Sequence, residues 1–467
     1  MTLRDTELAV VGGGPGGYVA AIRAASLGLK VTVVDAGGLG GTCLNHGCIP
    51  SKAFISAANR IHDAVEASSM GVYADPYVDM AELAEWKDSI VAGLTSGIEA
   101  LCDEHNVTVV PGRAEFTDLT EIAVTAADGR ERIGFEGAII ATGSQPTAIP
   151  GFDTGAEPVL DSKEALALDR VPDRLVVVGA GYIGMELSVM FRKLGAEVVV
   201  VEMTEQVLPN YGSEMAEIVR SRADDLGVEF HFGQQAESWT KDGDGVSVST
   251  VDQSGATDRH RGERVLVAVG RDPVTDGLGL DEIGVETTSD GVIPTDEFGR
   301  TSVPGVYAVG DVSGAPMLAH SASREGIVAA ETLADVDRHP SDYVVPSVVY
   351  TDPEIATVGM TVREAEDAGH EPTVGEFTFA VNGRSLTLDN RRGYVRLVAD
   401  AETQRLLGTQ LVCPEASELV AAPTLAINEG LTVDALTRTV QAHPTLSEAL
   451  TEAARDVSGV AIHGANG

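Results

Sequence analysis

The sequence predicts an α/β chain built from two doubly wound units and a C-terminal α+β unit. Three observations carry this. At 467 residues the chain has room for about three domains of roughly 150 residues each. A strand, a glycine turn, a helix, a second strand and an acid follow one another twice, and residues 346–467 alternate strand-like runs with helical ones. Hydrophobic residues make up 43% of the chain, enough for large cores, which excludes a disordered chain.

The first unit reads Leu8-Ala9-Val10-Val11, then Gly12-Gly13-Gly14-Pro15-Gly16-Gly17, an Ala-rich helical stretch, and the strand Val31 to Val34 ending at Asp35. In a dinucleotide-binding turn Gly12 permits the bend, Gly14 lets the backbone approach a pyrophosphate and Gly17 lets the helix pack on the strand. The helix N-terminus then faces the phosphates, and Asp35 is placed to accept hydrogen bonds from an adenosine ribose. A glycine triplet alone is more often just a turn; the flanking strands and the acid give this one its meaning.

The second copy runs from Leu175 to Val178 through Gly179, Gly181 and Gly184 to the strand Glu197–Val201, ending at Glu202. The acid follows the first glycine by 23 residues in both copies, which lie 167 residues apart. Two such sites imply one tightly held cofactor and one exchangeable one. A carboxylate at 202 bonds a free 2′-hydroxyl but repels a 2′-phosphate, by ~4 kcal/mol for unit charges about 4 Å apart at an effective dielectric of about 20. No Arg occurs within ten residues after Glu202, so NAD is expected over NADP.

Charge excludes other classes. The chain has 71 Asp and Glu against 32 Lys and Arg, a net charge of −39, and only six of the basic residues are Lys. Nucleic acid needs clustered cations, and anionic membranes repel such a surface, so neither is an expected partner. An acidic surface self-repels in dilute buffer and is screened by salt, so a salt-adapted protein from a hypersaline cytoplasm is expected. Met1 to Glu7 is polar and the next apolar run breaks at Gly12, so no targeting segment is expected. The longest apolar stretch, Leu175 to Phe191, holds three glycines and Glu186; it reads as a strand, a turn and a buried helix rather than a membrane span.

Four cysteines are too few for a disulfide scaffold, and in a reducing compartment a close pair is metal-binding or redox-active. Cys43 and Cys48 are that pair, within Gly40-Gly41-Thr42-Cys43-Leu44-Asn45-His46-Gly47-Cys48-Ile49-Pro50-Ser51-Lys52. Two thiols separated by four residues can close one turn of helix into a disulfide. A zinc half-site and a buried inert pair are the alternatives. No Cys or His pair of suitable spacing completes a zinc set, because Cys102 and Cys413 stand alone, and no metal is expected.

Residues 40–52 resemble the redox signature of the flavin-dependent pyridine nucleotide disulfide oxidoreductases, in particular the members that oxidise dihydrolipoyl groups. Glutathione reductases usually read Pro-Lys-Lys where this chain has Pro50-Ser51-Lys52. The resemblance covers nearly the whole chain. Ala141-Thr142-Gly143 resembles the family's crossover between nucleotide domains, and Val269-Gly270-Arg271-Asp272-Pro273 the exit from the second. Val306 to Asp311, followed by Met317-Leu318-Ala319-His320, is similar to the second flavin fingerprint. Tyr350-Thr351-Asp352-Pro353-Glu354 resembles the start of the interface domain, and His443-Pro444-Thr445-Leu446-Ser447-Glu448 is the final match.

This resemblance implies FAD and NAD as cofactors. Toward FAD it places Gly12, Gly14, Gly17, Asp35, Thr42, Lys52, Ala114, Thr142, Gly143, Asp311 and Ala319, with Asp311 on the ribityl chain. Toward NAD it places Gly179, Gly181, Gly184, Glu202 and Gly270. The motifs set boundaries: 1–148 for the first part of the FAD domain, 149–272 for the NAD domain, 273–345 for the segment completing the FAD domain and 346–467 for the dimerisation domain.

The implied mechanism makes Cys43 the interchange sulfur and Cys48 the sulfur against the flavin. Lys52 would add a positive charge beside the flavin, paired with Glu186, although alone it reads as a surface cation. Thiolate is the nucleophile in disulfide exchange, so a base near its operating pKa is needed. His443, with Glu448 five residues on, fits that need; taken alone, a His before Pro is a capped loop residue. In relatives this pair serves the opposite subunit, implying a homodimer. The implied partner is a lipoyl domain or lipoyl carrier protein of 2-oxo acid dehydrogenase or glycine cleavage systems.

Three positions depart from the family or vary within it. Asp35 replaces a more usual Glu, His46 sits at a variable position in the cysteine loop, and Arg324 stands where relatives often carry an acid. Two other readings compete. One is a different disulfide or metal reductase of this family; mercuric reductases typically add a C-terminal cysteine pair, which Ile462 to Gly467 lacks. The other is a non-catalytic flavoprotein scaffold, against which Lys52, His443 and Glu448 together argue.

Overall fold

The computed structural model describes residues 3–127, 129–155, 157–336 and 343–464; the polar start at Met1 and Thr2 and the tail residues 465–467 lie outside the described residues. Five parallel strands form the first sheet, in the order Val306–Ala308, Gly137–Ile140, Leu8–Val11, Val31–Asp35, Thr108–Pro111. Every residue of Leu8–Val11 is buried, as the continuous apolar run requires of a strand covered on both faces. Leu8 pairs with Val31 and Val11 with Val34, so Gly12 and Asp35 emerge together at the carboxyl edge.

The second sheet repeats this plan in the order Val159–Leu160, Arg264–Val267, Arg174–Val178, Glu197–Val201, Val228–His231, all parallel. Each sheet has the glycine strand at its centre and the acid-ended strand beside it. Each also receives an antiparallel insertion at the same point of the chain: Arg113–Asp118, Glu121–Ala126 and Gly129–Gly134 in the first, Gln234–Asp242, Gly245–Asp252 and Thr257–Gly262 in the second. The repeat seen in the sequence is thus a repeat of topology.

Contacts explain the glycines. Gly12 and Gly179 have φ of 107° and 102°, a region L side chains avoid. A Cβ on Gly17 would lie 1.9 Å from Gly12 O, and one on Gly184 2.0 Å from Gly179 O. Each helix therefore starts against its own turn. At Gly14 the nearest atom to such a Cβ is 3.8 Å away, and at Gly181 none lies within 4 Å; these positions present bare backbone to open space.

An antiparallel sheet closes the chain, in the order Ser347–Val349, Glu354–Gly359, Leu406–Cys413, Tyr394–Asp400, Pro372–Thr378. The helical run expected over 415–428 is two helices, Ala416–Leu419 and Ala421–Asn428. Pro423 cannot donate an N–H to Leu419, so the first helix stops and a new one starts.

One core joins the three regions. Phe54 and Ile55 of the helix Cys48–Glu66, Met185 and Val189 of the helix Tyr182–Lys193, and Val349, Tyr394 and Val412 near the last sheet are buried in one cluster. Among the described residues no helix is long and apolar enough to cross a membrane.

Gly184→Ala is expected to destabilise by about 1–3 kcal/mol, the usual cost of overpacking, whereas Gly181→Ala should cost less than ~1 kcal/mol. Denaturant midpoints of the two variants check this, and equal losses would show that the two glycines do not differ in the way described.

Candidate active site

A cavity of about 450 Å³ opens along the carboxyl edge of the first sheet. Every residue expected toward FAD lines it except Gly17, which is packed under its own helix. Cys43, Cys48 and Glu186 also line it. Asp35 Oδ2 accepts from Gly13 N at 2.6 Å and Oδ1 from Gly37 N at 2.7 Å, so the acid braces the turn and retains lone pairs for a ribose. Open space before Gly14, a helix N-terminus behind it and a long cavity leading to two thiols together fit a flavin dinucleotide. The residues expected toward NAD do not line this cavity; Gly179, Gly181, Gly184 and Glu202 gather at the second sheet's carboxyl edge, and Gly270 is exposed beyond it. Glu202, 6% exposed, accepts from Ala180 N at 2.7 Å and Thr204 N at 2.8 Å.

The thiols do not lie on one turn of a single helix. Cys43 belongs to the helix Gly41–His46, and Cys48 opens the helix Cys48–Glu66. Gly47 separates them with φ −131° and ψ −102°, outside helical values, and the two helices meet there closely: a Cβ on Gly47 would lie 3.1 Å from Thr42 O. Both cysteines are free thiols, hydrogen-bonded to each other. Their acidities diverge. The Cys43 thiol's hydrogen bond, aided by the Lys52 charge, pulls Cys48 down to about 7, while the same bond and burial push Cys43 up.

Lys52 lies one helical turn beyond Cys48. Its Nζ donates to Glu186 Oε2 at 2.7 Å and stands 4.4 Å from the centre of the Tyr350 ring. Glu186 Oε1 accepts from Tyr350 N at 2.9 Å. His46 lines the cavity, and burial, then Lys163, lowers its imidazole. Arg324 lies over the Tyr343 ring at 5.2 Å.

Four cavity or wall residues escaped the sequence reading. Arg271 Nε donates to Ser144 Oγ at 2.7 Å, and that hydroxyl donates in turn to Asp311 Oδ2. Tyr182 lines the cavity, and partial burial in its wall pushes the hydroxyl up to about 12. Tyr350 is the fourth. Tyr182, Arg271 and Tyr350 all fall inside motifs already noted, but nothing in a linear pattern separates a lining residue from its neighbours; Ser144 directly follows one.

His443 and Glu448 are together but away from the thiols. Neither lines the cavity, and the His443 side chain is 78% exposed. Glu448 is the first residue of the helix Glu448–Val457. Its Oε1 lies 2.9 Å from His443 Nδ1 and its Oε2 accepts from Thr445 N at 2.9 Å. Burial alone would raise Glu448, yet the Thr445 N–H and His443 hold it below the ordinary carboxylate range. A carboxylate only accepts, so Nδ1 carries the proton toward Glu448 and, in the neutral ring, Nε2 keeps its lone pair.

Known proteins resemble this chain over nearly its whole length. The chain is 54% identical over 461 residues to dihydrolipoyl dehydrogenase 2 of Haloarcula marismortui, covering 98% of each. It is 52% identical to the dihydrolipoyl dehydrogenase of Halobacterium salinarum, over 99% of this chain and 98% of the relative. Among solved structures, LpdA of Mycobacterium tuberculosis superposes with a TM-score of 0.90 at 30% identity, over 96% of this chain and 99% of that one. The model for pyridine nucleotide-disulphide oxidoreductases matches residues 6–326, and the model for their dimerisation domain matches 345–454. Little of the sequence is left unaccounted for, and the chain belongs to the pyridine nucleotide-disulphide oxidoreductase family.

Proposed function

We propose that this protein is a dihydrolipoyl dehydrogenase, which oxidises the dithiol of a protein-bound dihydrolipoyl group to its disulfide and reduces NAD. The observation that carries the reading is the unequal thiol pair beside Lys52 in a dinucleotide-shaped cavity. The halophilic relatives at 52–54% identity support both the activity and the salt-adapted setting that the acidic composition implies. The chain's own division of labour follows the motifs: 1–148 with 273–345 for FAD, 149–272 for NAD, 346–467 for pairing of two copies in the cytoplasm.

With Cys43 and Cys48 joined as a disulfide, a substrate thiolate attacks Cys43 Sγ. The Cys43–Cys48 bond breaks and Cys48 departs as a thiolate, the better leaving group because its thiol is the more acidic. The second substrate sulfur then attacks the mixed disulfide, releasing the oxidised lipoyl group and leaving Cys43 as a thiolate that takes a proton. His443 Nε2 accepts the proton of the first substrate thiol, the proton of the second passes to Cys43 as its sulfur is released, and Glu448 keeps the ring oriented. Because His443 is exposed and apart from its own chain's thiols, it serves those of a second copy. Lys52 stabilises the Cys48 thiolate, and Glu186 fixes Lys52. Glu202 favours a free ribose hydroxyl and thereby NAD. FAD bound along the cavity, with NAD on the second glycine turn, supplies the route by which the electron pair leaves the thiols.

At molar salt, NAD reduction is expected with dihydrolipoamide and not with glutathione. Cys48→Ser should abolish turnover while flavin stays bound, and His443→Gln should lower kcat by ~10²–10⁴; unchanged turnover in either variant refutes its assigned role. The thiolate-to-flavin band of the NADH-reduced enzyme gives an independent check. Cys48 is more acidic than an ordinary thiol, so the band is present at high pH and fades as pH falls through about 7. Lys52→Met removes the favourable charge and should move that loss to higher pH.

A further inference from the structure

Apart from the redox cavity, one cluster of metal-ligating side chains stands out among the described residues. His231, Asp258 and His260 each present a ligand atom, and the three atoms lie within 4.8 Å of one another. His231 ends the edge strand Val228–His231 of the second sheet. Asp258 and His260 are two apart in the strand Thr257–Gly262, so both side chains leave the same face of it. None of the three lines the redox cavity. The two imidazole centres are 4.3 Å apart and tilted by 54°.

Each ring already has one nitrogen engaged by a neighbour. His231 Nε2 lies 2.8 Å from Glu229 Oε1, which can only accept, so Nε2 is the protonated nitrogen. Thr250 gives its hydroxyl proton to Gln234 Oε1 at 2.7 Å, so its oxygen accepts from His260 Nε2 at 3.1 Å. When a ring is neutral, its other nitrogen keeps the lone pair that a cation takes. An acceptor on the second nitrogen is the outer shell that orients histidine toward a cation.

Distances favour a small ion. Bonds of about 2.0–2.2 Å put tetrahedral donors about 3.4 Å apart, so donors that lie within 4.8 Å of one another draw together to hold one. His260, 5% exposed, is held in place, whereas Asp258 is exposed and its carboxylate can swing inward.

We propose that His231, His260 and Asp258 form a binding site for a divalent transition-metal ion of the class that takes imidazole and carboxylate ligands, with water completing the coordination. The backbone N–H of Glu202 donates to His231 O at 2.9 Å, so a bound ion braces the strand end that carries the acid of the second nucleotide turn.

Equilibrium dialysis of the air-oxidised full-length holoenzyme against Zn²⁺ in concentrated NaCl tests this. Closing the Cys43–Cys48 disulfide removes the thiols as competitors, and salt suppresses diffuse binding to the acidic surface. One zinc per chain is expected. Glu229→Gln keeps all three ligands and should weaken binding ~10–100-fold, with a larger loss in His231→Ala and in His260→Gln. Copper loaded into the same site should show nitrogen splitting from two imidazoles by electron paramagnetic resonance, and from one in His231→Ala. His231 is partly exposed, so His231→Ala keeps the test open if His260→Gln fails to fold. Absence of zinc above the diffuse background, or unchanged affinity in folded His231→Ala, overturns the proposal.

Discussion

One carboxylate holds the redox centre together. Glu186 has a side chain only 5% exposed and accepts from Lys52 Nζ on the helix Cys48–Glu66 and from Tyr350 N at the entry to the last sheet. A charge buried there is tolerable only with its partners in place, and removing one partner of such a pair costs about 3–5 kcal/mol. Glu186 therefore pins three distant segments to one point. Lys52 is fixed by it, and Cys48 stands one turn before Lys52. The chemistry of the thiols in the first unit is thus set by where the second unit docks.

The docking itself is apolar first and ionic second. Phe54 and Met185 lie in the shared core, 1% and 0% exposed, and supply the area that drives the helices together. Beside them Asp352 meets Lys193 Nζ at 2.8 Å and Arg222 Nε at 3.1 Å. Burial alone would raise Asp352, but these two cations hold it below the ordinary carboxylate range. A chain with six lysines spends two of them, Lys52 and Lys193, on ion pairs between segments. Its remaining surface is left acidic, so salt screening acts on the exterior while these inner pairs are shielded from it.

The site is asymmetric by construction. The cysteines, Lys52 and the flavin-side residues share one cavity, whereas the His443–Glu448 pair lies outside it, in a loop and at the start of the helix Glu448–Val457, with the imidazole exposed. A family model for dimerisation over 345–454 fits a second copy bringing that imidazole into reach. Under the proposed function, pairing of two copies is what completes the active site.

Local patterns were legible in the sequence because they depend on short-range geometry. The two glycine turns, the acids Asp35 and Glu202, the cysteine pair and His443 with Glu448 could all be named from spacing or resemblance, since each reflects a backbone requirement or a contact within a few residues. The local reading went astray where a single residue changes the hydrogen-bond ladder: Gly47 splits the cysteine helix, and Pro423 splits the run over 415–428. Long-range side-chain contacts were beyond it. Arg271 on Ser144 and Asp311, Tyr350 on Lys52, and the meeting of His231 with His260 join residues from different sheets or strands. No periodicity encodes such meetings, because they follow from how whole sheets and helices pack. The sequence by itself determined the folding units and their reactive groups; the tertiary structure decided which groups face one another, since burial and charge pairing act across space and not along the chain.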